Sequence, residues 1–88
     1  VLTVYKYRVY ETPTPVLQLP SGAALLHLGE ENDSLYVWAL VDTEQPYEQR
    51  DLMLAGTGWE MPATPGRHVG TVQMRNGLVF HLFEGGGQ

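Results

Sequence analysis

The chain of 88 residues contains no cysteine. That excludes a disulfide framework, a thiolate zinc site and a thiol nucleophile, and it fits a reducing compartment. Cations are scarce as well: five basic residues stand against ten acidic ones, a formal net charge of −5. This balance opposes the counterion release that draws proteins onto DNA or RNA, so nucleic acid is not an expected partner. No apolar run approaches the roughly 20 residues of a membrane helix, and Val1 to Val9 lacks the charged-then-apolar layout of a signal peptide. A soluble, intracellular protein with no membrane partner is expected.

Catalytic groups are equally sparse. The only serines, Ser21 and Ser34, sit in turn-forming stretches without the glycine-flanked elbow that exposes a hydrolase nucleophile. His27, His68 and His81 have no ligand partner two or four positions away, and the carboxylates show no ligand spacing, so neither a metal nor another cofactor is expected. Asp42, Glu44, Asp51 and Glu60 read as solvated loop acids rather than as a general acid and base. The chain is expected to be no enzyme.

What is present is enough to fold. Hydrophobic residues make up 43% of the chain and charged ones 17%, too apolar a mixture for disorder. The length suits one domain, residues 1–84, followed by the tail Gly85-Gly86-Gly87-Gln88, which has no bulk to pack and is expected to be flexible. Val1 to Tyr10 alternates as a first strand, with Tyr5, Tyr7 and Val9 on one face and Lys6 and Arg8 on the other. Val16 to Leu19 is a second strand ending at a Pro20-Ser21-Gly22 turn in which the proline presets φ. Ala23 to Leu28 and Leu35 to Val41 form a hairpin around the polar tip 30–34. Asp42 to Asp51 reads as a loop or a short helical turn, and Leu52 to Ala55 as a further strand.

Asn76-Gly77 is the strongest local signal. Flanked by alternating apolar residues, it predicts a two-residue type I′ hairpin that pairs Met74 with Val79, Val72 with His81 and Gly70 with Phe83. That register makes His81 a packed core ring against Val72. Together these segments predict an all-β fold: a small antiparallel β-sandwich or barrel of about seven short strands.

Leu35 to Val41 is apolar on both faces, with Leu35, Val37, Ala39 and Val41 on one side and Tyr36, Trp38 and Leu40 on the other. So small a domain rarely covers both faces of a strand, so either this strand is central or its second face meets another subunit; a homo-oligomer is expected.

One constellation suggests ligand chemistry. Gly56-Thr57-Gly58-Trp59, with Arg67-His68 and Gly70-Thr71, can offer backbone N–H groups, hydroxyls, an indole face and a guanidinium fork to a phosphate or ribose. The competing reading is that the glycines serve bends and bulges, with Gly70 making room for Phe83.

The ordered segments Val4-Tyr5-Lys6-Tyr7, Leu19-Pro20-Ser21-Gly22-Ala23, Trp38-Ala39-Leu40-Val41-Asp42, Gly56-Thr57-Gly58, Gly70-Thr71-Val72-Gln73 and Gly77 to Glu84 resemble a family of small uncharacterised β-domains of bacteriophages and prophages. The resemblance covers nearly the whole chain. It implies a phage accessory protein in the host bacterial cytoplasm, and within that setting a non-catalytic sponge that sequesters a small nucleotide-derived immune signal, of cyclic nucleotide or ADP-ribose type, against anti-phage defence. Arg67, Arg50, Trp59, Gly56, Thr57, Gly58, Trp38 and Tyr47 are the residues expected to hold such a ligand. The alternative is a structural or host-protein-inhibiting module with no small-molecule ligand.

Overall fold

Along Leu35–Val41 buried and outward residues alternate without a break, as a strand covered on one face requires. The computed structural model describes residues 1–85, and in them this strand is the centre of one of two sheets. The strands are β1 (Leu2–Val9), β2 (Val16–Pro20), β3 (Ala24–Glu31), β4 (Ser34–Asp42), β5 (Tyr47–Gly56), β6 (Arg67–Gln73) and β7 (Val79–Glu84). One sheet runs β1-β4-β3, the other β2-β5-β7-β6, and every pairing is antiparallel. The result is the expected all-β fold, a sandwich rather than a closed barrel.

The core lies between the sheets. Val9, Leu25, Leu28, Leu35, Val37, Ala39 and Val41 come from the three-stranded sheet, and Leu17, Leu19, Leu52, Leu54, Phe80 and Leu82 from the four-stranded one. Pro20 is tolerated within β2 because β2 is an edge strand, with one side free of ladder bonds. At the turn that follows, Gly22 rather than Pro20 takes the special conformation, at φ +80°.

Three expectations are corrected. First, Tyr47 to Asp51 is strand, not loop, and makes up half of the ten-residue β5. Its polarity has a local cause: Arg50 and Glu48 point into the mouth of the sandwich, where ion pairs replace apolar packing. Second, the β6–β7 register differs from the predicted one by a residue, pairing Val72 with Phe80, Thr71 with His81 and Gly70 with Leu82. The loop holds three residues, because Met74 N–H bonds to Leu78 O at 2.7 Å and only Gly77 has positive φ, at 92°. A one-residue slip turns every side chain over. Phe80 and Leu82 therefore enter the core, and His81 leaves it. Third, Gly70 makes room not for Phe83 but for the facing sheet: a Cβ there would stand 3.0 Å from Leu28 Cβ and 3.1 Å from its backbone nitrogen.

The two-sided strand β4 has one buried face and one outward face, and the outward face is uncovered in the single chain. Of the expected flexible tail, residues 86–88 lie outside the described residues. Among those described, no helix is long and apolar enough to cross a membrane.

Candidate functional site

The residues expected to share a ligand are dispersed. Gly56, Thr57, Gly58 and Trp59 stay together as a turn closed by Trp59 N–H to Gly56 O at 2.9 Å, with Gly58 at φ +93°. The indole of Trp59 lies directly on Gly56, where a Cβ would come within 2.7 Å of the ring, and meets Phe80 edge-on at 5.7 Å. A shallow cleft of about 310 Å³ runs from this turn to Leu78 and Val79.

Arg67 stands at the opposite end of β7. Gly56 pairs with Phe80 and Arg67 with Glu84, four residues further along, about 13 Å at roughly 3.3 Å per residue. Its guanidinium is occupied: Nε donates to Glu84 Oε1 at 3.0 Å, and one terminal nitrogen bonds to the same oxygen and to Leu25 O at 3.1 Å. Arg50 grips Glu84 Oε2 at 3.2 Å, Glu48 Oε2 at 3.1 Å and Ala23 O at 2.9 Å. Both arginines thus reach from the four-stranded sheet to backbone carbonyls at or before β3, and Glu84, only 15% exposed, joins them. The two cations read as phosphate ligands are cross-sheet clamps. The Glu48 carboxyl is held below the usual carboxylate range, chiefly by its hydrogen bond from Arg50.

Trp38 lies on the outward face of the other sheet, over Gly29 and beside His27, with ring centroids 5.8 Å apart. Tyr47 is exposed at the start of β5, opposite Pro20. Neither approaches the Gly56 turn in the strand pairing.

Two features escaped the sequence reading. One is a hydrogen-bonded chain across the outer face of the four-stranded sheet: Thr57 Oγ1 to His81 Nε2 at 2.9 Å, His81 Nδ1 to Thr71 Oγ1 at 3.0 Å, and Thr71 Oγ1 to His68 Nε2 at 2.8 Å. It exists only in the observed register, so an error of one residue hid it. The other is a cleft of about 540 Å³ on the same face, under the 62–66 segment. Among the described residues no three His, Cys, Asp or Glu are grouped to hold a metal ion.

On the outer face of the three-stranded sheet, Leu2, Val4 and Leu40 are 70%, 49% and 39% exposed, and Leu26, the extra residue of a bulge in β3, is 52% exposed. Farther along, Lys6 passes 4.7 Å over the Tyr36 ring to bond Glu31 at 2.6 Å, and Arg8 stacks on Tyr10 at 4.6 Å.

These elements define the class: a small all-β domain of two antiparallel sheets, with a cleft outside one and an uncovered aliphatic and aromatic face outside the other. The chain belongs to the DUF7352 family, described as a domain of unknown function, and matches it over residues 1–88. No curated protein and no solved structure matches the chain. The family description carries neither an activity nor a source, so phage origin and a host-cytoplasmic setting rest on the resemblance alone.

Proposed function

We propose that this domain is a non-catalytic interaction module that works as a homo-oligomer through the outer face of its three-stranded sheet. The observation that carries the reading is the run of exposed apolar side chains from all three strands, Leu2 and Val4, Leu40, and Leu26, with the half-buried Trp38 beside them. Patches of this kind on small soluble domains mark association surfaces. The occupant that fits is a second copy. A twofold axis running across the strands at Val4 and Leu40, which pair with each other, lays the apolar patch on the same patch of the second copy, the self-complementary contact of a twofold dimer.

The alternative, sequestration of a nucleotide-derived signal, loses support because Arg50 and Arg67 are already spent on Glu84. Light scattering coupled to size exclusion tests the proposal at micromolar concentration. A mass of about twice the 9.8 kDa of the chain or more is expected, reverting to one chain in Leu40→Glu with the fold intact. A parent that runs as a monomer overturns it.

A further inference from the structure

We infer that the cleft under the 62–66 segment is a binding site for a small amphipathic organic cation, an alkyl or arylalkyl ammonium. The inference is independent of self-association, because the cleft lies on the opposite sheet. Its volume, about 540 Å³, falls within the range of small-molecule sites. The floor is apolar and drawn from adjacent strands: Val16 of β2, Met53 of β5 and Phe83 of β7, with Met53 and Phe83 directly paired. Pro62 and Ala63 supply a wall.

Charge then selects the ligand. The cleft is lined by two carboxylates, Asp51 and Glu84, and by no Lys, Arg or His among the described residues. The Glu84 oxygens are taken by Arg50 and Arg67. Asp51 is exposed at the rim beside Val16, and its described partner is the Gln49 amide at 3.0 Å from Oδ1, which leaves acceptor capacity on the carboxylate. An ammonium on Asp51 makes a charge-assisted hydrogen bond, while its hydrocarbon body lies on the thioether and phenyl floor. A phosphate or carboxylate entering the same cleft meets the Asp51 carboxylate at the rim, and the nearest guanidiniums, Arg50 and Arg67, are already held by Glu84.

The three methionines make the test direct, since Met53 forms the floor and Met74 is a core residue on the other side of the sheet. The methionine methyl signals are followed by NMR during titration with 2-phenylethylammonium and, separately, with 3-phenylpropionate as the matched anion. The expected result is a saturable shift of the Met53 methyl with the ammonium alone, Met74 standing still, and a loss of affinity of roughly tenfold or more in Asp51→Asn. Asp51 is exposed, so the variant should keep its fold. Equal or tighter binding of the anion, an unchanged affinity in Asp51→Asn, or no Met53 shift at millimolar ammonium each overturns the inference.

Discussion

The β3–β4 and β6–β7 hairpins both turn at an asparagine, and their tips are joined by an ion pair, Arg75 Nε to Glu30 Oε2 at 3.3 Å. They turn differently. At Asn32-Asp33 both residues have positive φ, 50° and 66°, and Glu31 pairs with Ser34, which is the two-residue type I′ geometry. At Asn76-Gly77, only the glycine is left-handed, while the Asn76 side chain accepts the Leu78 N–H at 3.0 Å and the loop takes in a third residue. The dipeptide with the stronger type I′ signature is the one that does not form it. An Asn-Gly pair announces a hairpin, but whether its loop holds two residues or three is decided by which face of the following strand can be buried.

In β7 that competition was visible in the residues. One face of β7 carries Phe80 and Leu82 and turns ionic only at its last residue, Glu84, whereas the other places His81 between Val79 and Phe83. The core took the first. The largest expected effect tests this choice. Leu82→Ala, at a position with no exposure, should cost about 2–5 kcal/mol in urea unfolding. His81→Ala, on the outer face, should cost less than half as much. The reverse order would restore the two-residue loop and break the contrast between the hairpins.

The fold class, the strands β1 to β4 and the two-sided character of β4 were legible because alternation and turn residues are local signals. Partner-dependent features were not. Arg50 and Arg67 looked available for a ligand because nothing in the sequence places Glu84 between them; that meeting requires β5, β6 and β7 to be ordered side by side. Likewise Tyr47 to Asp51 looked like a loop because its inward side chains are ionic. Thr57, His68, Thr71 and His81 are scattered from position 57 to position 81 and become neighbours only through sheet register.

The open ends of the hairpins differ too, and a second variant sharpens that difference. Arg67 and Glu84 close the open end of β6–β7 and tie it to β3. Glu84→Gln removes the charge shared by two arginines, one of them, Arg50, only 22% exposed, and should cost about 1–3 kcal/mol. A loss smaller than that of a surface substitution would mean that the clamp is decorative.

At the turns themselves the effects should be smaller and of unequal size. Gly77→Ala forces an alanine into φ +92° with open space around its Cβ, so its cost is conformational alone, about 1–2 kcal/mol. Asp33→Gly relieves a left-handed aspartate but loosens the unfolded chain, and should fall within about 0.5 kcal/mol of the parent. Equal losses at both positions in thermal unfolding would mean that the two turns are alike after all.

The smallest expected effect lies at the turn end of β3–β4, where Glu31 bonds Lys6 of β1 across Tyr36. The Lys6 ammonium is held above its ordinary value of 10.5, first by that hydrogen bond. The sign follows from linkage: a folded-state value raised for a cationic group means stabilisation that is fully present below the ordinary value and lost as pH rises through the raised one. Tyrosines ionise in the same range, and burial pushes the Tyr7 phenol up, which also lowers stability as alkali is added. A single melting curve cannot separate these contributions, but a difference between proteins can. Parent and Glu31→Gln should therefore differ in melting temperature at neutral pH, and the gap should narrow above the ordinary Lys value. The β6–β7 hairpin, whose ion pairs use arginine, should show no such narrowing when parent and Glu84→Gln are compared over the same range. A gap at Glu31 that stays constant to the alkaline limit would remove Lys6 from the account of what holds that tip.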